Sequence, residues 1–129
     1  MDIKIGMTAT VTQTVKKENA ASAVGSGCLD VFATPSMIAL MEMASFKAIE
    51  EGLDEGSTTV GTLVNVEHLS ATPLGMQISV KSTVTAVDGR KVCFDVEAYD
   101  EVGLIGKGKH ERFVVFSEKF MLKTQSKGK

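Results

Sequence analysis

Residues 31–52, VFATPSMIALMEMASFKAIEEG, decide how the rest of the chain is read. At 100° per residue, Met37, Leu40, Met41, Ala44 and Ala48 fall on one stripe, flanked by Ile38 and Ile49. That is the apolar face of a helix. Thr34 is a good N-cap, and Pro35 suits the first helical position because its missing N–H has no partner there. The helix is expected to run from Thr34-Pro35 to about Glu51, with Gly52 as the C′ residue. Lys47 and Glu50 lie on the opposite face. Glu42 stands between Met41 and Met43 and projects close to Ile38, Ser45 and Ile49. It therefore sits at the border of the buried face, where a carboxylate either reaches water or is held inside for a purpose.

On both sides of this helix the pattern changes to strands. Residues 8–16, TATVTQTVK, alternate and are rich in Thr and Val. Residues 17–33 carry no clear period, and Gly25, Ser26 and Gly27 mark a turn within them. Residues 58–69 place Val60, Val64, Val66 and His68 on one expected face. Residues 76–87 place Met76, Ile78, Val80, Val84 and Ala86 on another. Asp88-Gly89 is a hairpin signal, followed by residues 91–100 with Val92, Phe94, Val96 and Ala98 in step. Glu101, Val102 and Gly103 make a further turn before a long last strand, 104–116. Gly106 and Gly108 share a face of that strand, which implies close approach of another backbone or helix.

Strand, long helix and four strands make one α+β domain spanning 1–129. One helix cannot cover both faces of such a sheet, so pairing of subunits is expected to finish the burial. No apolar run approaches the roughly 20 residues of a membrane span. The net charge of −2 has no dominant basic block, which argues against nucleic acid or an anionic membrane as partner. The basic stretch from Lys119 to Lys129 reads as a solvated end. Cys28 and Cys93 lack metal-motif spacing, and two isolated histidines add no zinc site, so no metal is expected. The opening MDIKIGMTATVTQTV has no signal-peptide core; with the cysteines, this points to a reducing cytoplasm.

Three polar residues are candidates for chemistry. Thr34 offers a hydroxyl, Glu42 a carboxylate and His68 an imidazole at a strand end. An imidazole can take a proton from a hydroxyl or water while a carboxylate orients it. The helix N-terminus adds free N–H groups that can polarise a carbonyl. Each residue alone has an ordinary reading: a cap, a solvated border residue, a structural histidine. His110, beside Glu111 and Arg112, reads as structural or interfacial.

The stretches DVFATPSMIALMEMAS and VGTLVNVEHLSATPLG change that balance. They resemble the hotdog-fold acyl-CoA thioesterases of the fluoroacetyl-CoA thioesterase type, and the likeness covers nearly the whole chain. The resemblance implies a hotdog fold, in which a five-stranded antiparallel sheet wraps one long central helix and two subunits pair. It implies a catalytic set of Thr34, Glu42 and His68 at the dimer interface, and hydrolysis of a short or medium acyl-CoA to acid and CoA. Gly61 would let the thioester approach the backbone. Arg112 would be an anion contact for CoA or a structural ion pair. Phe32 and Cys28 would line the acyl pocket; the family's fluoroacetyl-selective member has an aromatic gate where ASAVGSGCLDVF has small residues and Cys28. No cofactor is implied, since CoA enters as part of the substrate. The alternatives are a non-catalytic acyl-CoA binding module, a hotdog hydratase or dehydratase, and a structural dimer without ligand.

Overall fold

A computed structural model describes residues 1–129. Its elements are β1 (Thr8–Thr14), α1 (Ala21–Val24), α2 (Thr34–Ile49), β2 (Ser57–His68), β3 (Gln77–Asp88), β4 (Lys91–Tyr99), β5 (Leu104–Phe116) and α3 (Ser117–Gln125). The five strands form one antiparallel sheet in the order β1-β3-β4-β5-β2. The expected α+β architecture is therefore present, with α2 held against one face of the sheet.

The core forms where the helical stripe meets the inward side of the strands. Met37, Leu40, Met41, Ala44 and Ile49 of α2 pack with Ile78, Val80, Val84, Val92, Phe94, Val96 and Ala98. Ser45 lies in the same layer. Its hydroxyl bonds the Met41 carbonyl (2.8 Å) and the Ser82 hydroxyl (2.7 Å), so neither serine is left unpaired in the interior. The glycines of β5 behave as expected. A Cβ on Gly106 would stand 2.5 Å from Met37 Sδ, and one on Gly108 would collide with the Asn65 carbonyl.

Two strand faces differ from the simple alternation. A register shift between Gly61 and Leu63 puts Val60 opposite Phe113 on the outer face, while Val64 lies opposite buried His110. Val60 therefore does not share a face with Val64, Val66 and His68. A second shift between Val84 and Ala86 turns Ala86 outward and brings Val87 opposite buried Val92. A bulge adds one residue to one strand and so inverts every later side chain on it.

The ends of α2 also differ. Ala33, not Thr34, is the N-cap, so Thr34 and Pro35 are the first two helical residues. The α-helix stops at Ile49 and tightens into a 3₁₀ turn at Glu50–Gly52. Gly52 is not left-handed; it is needed because a Cβ there would strike the Asp2 carbonyl. Finally, the basic stretch after β5 is helical as α3, though none of its residues is buried. No helix of the chain is long and apolar enough to cross a membrane.

Candidate active site

The first turn of α2 and the last residue of β2 meet at one end of the sheet. Thr34 Oγ1 and His68 Nδ1 are 2.7 Å apart. This explains the cap: Thr34 points its hydroxyl at the imidazole, and Ala33 takes the N-cap position without a side-chain bond. His68 packs edge-on against buried Phe32, with ring centroids 6.4 Å apart. Its Nε2 is buried and has no hydrogen-bond partner. Burial lowers the His68 pKa from its ordinary 6.5, and the Ser70 backbone opposes the shift only in part. The neutral form of the ring is thereby favoured near neutral pH.

A cavity of about 270 Å³ opens beside this pair. Ala21, Val31, Phe32 and Ala33 line one side; Leu69, Ser70 and Ala71 line the other, with Thr34 and His68 between them. The N-terminus of α2 faces it. An acyl carbonyl there would meet a partial positive charge and a hydroxyl already bonded to a base. Cys28 is exposed on the preceding connection and lies outside the cavity lining.

Glu42 is elsewhere. Eight residues of helix separate it from Thr34, roughly 12 Å along the axis. It enters a second polar cluster under β2. Gly61 has no side chain because a Cβ would collide with Glu42 Oε1. Arg112 Nη1 lies 3.5 Å from that oxygen, a long ion pair in which the arginine is buried and the carboxylate half-exposed. Arg112 Nε donates to Thr59 Oγ1 (2.8 Å) and Nη2 to the Thr59 carbonyl (3.0 Å). His110 Nδ1 is 2.7 Å from the Leu63 carbonyl, which can only accept, so Nδ1 carries the proton. Nε2 is then an acceptor and receives Arg112 Nη1 at 3.2 Å. Burial, and secondarily the Arg112 charge, lower the His110 pKa against the opposing Leu63 bond, in keeping with that neutral form.

The structure thus brings Thr34, His68 and Phe32 together, and separately Glu42, Gly61 and Arg112. Sequence reasoning did not find Thr59 or the Leu63 carbonyl; it read His110 as structural or interfacial, and the structure places it in a buried network with Arg112. The available signal was the shared phase of His110, Arg112 and Val114, three consecutive inward positions of β5 that carry two charged or polar side chains.

Comparison with known proteins identifies the class first. A fluoroacetyl-CoA thioesterase structure superposes with a TM-score of 0.93 at 32% identity, covering 100% of both chains. A variant of that enzyme solved in complex with acetyl-CoA gives 0.93 at 32% identity over 98% of this chain and 100% of that one. A thioesterase superfamily member from Thermus thermophilus gives 0.88 at 31% identity over 95% and 91%. The fold is that of hotdog thioesterases, and the protein is a thioester hydrolase. Its sequence is also 41% identical over 98 residues to the fluoroacetyl-CoA thioesterase of Streptantibioticus cattleyicolor, 76% of this chain and 70% of that protein. The family model described as Fluoroacetyl-CoA-specific thioesterase matches residues 15–118, and the chain belongs to that family.

Proposed function

We propose that this thioesterase hydrolyses short acyl-CoA thioesters with Thr34 and His68 at the reacting centre. The 2.7 Å contact between Thr34 Oγ1 and His68 Nδ1, at a helix N-terminus and beside a small cavity, carries the reading. His68 Nδ1 accepts the proton as Thr34 Oγ, or a water held by it, attacks the thioester carbonyl. The helix N-terminus stabilises the oxyanion. His68 then returns the proton to the departing CoA thiolate. On the direct-water route this leaves free acid and CoA. On the covalent route a second water hydrolyses the acyl-Thr34 ester.

Glu42 takes part from the partner subunit. The edge strand β2 is exposed throughout Gly61–Asn65, which suits pairing with a second copy of itself. A two-fold axis through that run carries the partner's His68 toward the Ser57–Gly61 half of this β2, where Glu42 lies against Gly61. Arg112, buried and bonded to Thr59 and His110, aims Glu42 rather than gripping a CoA phosphate. Phe32 lines the acyl pocket. The cavity size supports short acyl groups, and the relatives' names make fluoroacetyl-CoA one substrate to test. CoA enters as substrate, with no separate cofactor, and the two unpaired cysteines fit a reducing cytoplasm.

Free-thiol release from acetyl-, fluoroacetyl-, butyryl-, hexanoyl- and phenylacetyl-CoA, with wild type beside His68→Ala, tests this. Release that requires His68 and is fastest for the two-carbon groups is expected. Equal rates in both proteins would overturn the role of the dyad.

A further inference from the structure

The cavity wall made by Leu69, Ser70 and Ala71 belongs to no helix or strand, yet it is pinned on both sides of Ala71. On one side the Ile105 carbonyl accepts the N–H groups of Leu69 (2.6 Å) and Ser70 (3.2 Å). On the other, the hydroxyl of fully buried Thr72 donates to Asp100 Oδ2 at 2.7 Å. Both anchors lie at one place, since Asp100 follows the end of β4 and Ile105 stands at the start of β5. The opposite wall hangs from the same threonine. Phe32 N–H donates to the Thr72 carbonyl at 2.9 Å, and Val31 forms a β-bridge with Pro73. Thr72 therefore joins the two walls, and Asp100 holds Thr72.

Asp100 is itself fixed. Its Oδ1 accepts the N–H groups of Val102 (2.8 Å) and Gly103 (3.1 Å), the side-chain-to-backbone pattern that closes a turn. Such a turn needs one carboxylate oxygen, and the other is spent on Thr72. No ion pair competes for the group. Burial raises the Asp100 pKa, but the bonds from Thr72, Val102 and Gly103 outweigh it and the shift is downward. The acceptor is thus a charged carboxylate, which makes the stronger kind of hydrogen bond. We infer that Asp100 is a positioning residue: acting through Thr72, it fixes the spacing of the two walls and so limits the size of the acyl group that reaches Thr34 and His68. The inference rests on the reading of this cavity as the acyl pocket. Asp100 lines no part of the cavity, so it acts on fit and not on the reacting atoms. Without its carboxylate the walls stay joined through Phe32, but Thr72 is released from the β4–β5 turn and the cavity can widen.

The test compares full-length wild type with Asp100→Ala, Thr72→Val, the two combined, and Thr72→Ser. Thr72→Val puts a methyl where the hydroxyl was, so it removes the bond without leaving a buried hydroxyl unpaired. It remains informative if Asp100→Ala folds poorly. Thiol release from acetyl- and hexanoyl-CoA gives the ratio of the two kcat/KM values. Wild type is expected to favour acetyl. Each single variant should narrow that preference about tenfold, the discrimination that one methylene carries in an apolar pocket. The double variant should narrow it no further, as for two ends of one interaction. Thr72→Ser keeps the hydroxyl and should keep the wild-type ratio. An equal fall for both substrates, with the ratio intact, overturns the inference, because a merely structural bond has no preference among acyl groups. Hydrogen exchange at the Phe32 amide supplies a readout that needs no turnover. It should be faster in Asp100→Ala and Thr72→Val than in wild type or Thr72→Ser; unchanged protection overturns the hold of Asp100 on the walls. If wild type releases no thiol from any acyl-CoA, the acyl-pocket reading fails and the selectivity fails with it, while exchange at Phe32 still decides whether Asp100 ties the walls.

Discussion

Two polar clusters hang on the same helix, and they are built in opposite ways. At the N-terminal end of α2, Thr34 and His68 share one hydrogen bond, and the buried Nε2 of His68 is left without a partner beside an open cavity. Two turns further on, around Glu42, almost nothing is left unmade. Arg112 is held by Thr59 and His110, and His110 by the Leu63 carbonyl. A buried polar group without a partner costs about 1–3 kcal/mol, so native chains keep few of them, and those few call for a reason. The difference fits the proposed roles. The unmade bond at the end of the helix suits a place where a substrate atom would complete the bonding. The middle is a brace that fixes the direction of one carboxylate.

The largest expected effect comes from breaking the unfinished cluster. His68→Ala should lower kcat by about 10²–10⁴-fold, the usual worth of a positioned general base, with little change in melting temperature. A loss below tenfold in steady-state thiol release would remove His68 as base. The same group sets the pH dependence. Burial lowers its folded pKa from 6.5, so the neutral form that the proposed base needs persists below that pH, and the acid limb of kcat/KM should have its midpoint below 6.5. Stability follows the same sign. His68 and His110 both have lowered folded pKa values, so the unfolded chain binds more protons as pH falls through 6.5. The two histidines favour the native state fully above that range and progressively less toward acid, which a melting series from pH 8 to pH 5 checks.

Breaking the brace should show first in stability. Arg112→Met removes the donor that Thr59, His110 and Glu42 share, leaving buried acceptors without a partner, and should cost about 1–3 kcal/mol in denaturant unfolding. Gly61→Ala is a finer probe. Its Cβ would collide with Glu42 Oε1 and stand 3.3 Å from His110 Cε1 and 3.4 Å from Arg112 Nη1. Overpacking of about 1–3 kcal/mol is expected, together with a displaced Glu42. If turnover falls while His68 still titrates normally, the brace acts through the carboxylate. Unchanged turnover in a destabilised Gly61→Ala protein would make Glu42 purely structural.

Much of this architecture was legible because burial imposes period. The stripe of α2 and the inward residues of β4 follow directly from it. What escaped was what period does not encode. The bulges after Gly61 and Val84 each insert one residue; Gly61 is a signal for the first, but it was read as a point of close approach, and no residue type announces the second, so Val60 and Ala86 were placed on the wrong face. α3 escaped because it has no buried stripe, although Glu118, Lys119, Met121, Leu122 and Lys123 are good helix formers. Thr34 and His68 were recognisable as residue types with the right chemistry. Their contact was not, since it joins positions 34 residues apart. The brace was hidden more deeply, because two of its acceptors are backbone carbonyls that any residue supplies.

The smallest effect is the most discriminating for Thr34. Read from sequence, this residue caps the helix, and removing a capping hydroxyl costs about 0.5–2 kcal/mol. In the structure Ala33 occupies the cap, and the Thr34 hydroxyl is spent on His68. Thr34→Ala should therefore leave unfolding free energy within about 0.5 kcal/mol of wild type, as for an exposed substitution away from structural features, while turnover drops. Thr34→Ser keeps the hydroxyl and should retain part of the activity. A loss near 1 kcal/mol with normal turnover would return Thr34 to the role of cap and place the reacting centre elsewhere. Stability and activity moving apart would instead mark the first turn of α2 as a site whose hydroxyl serves chemistry rather than the helix.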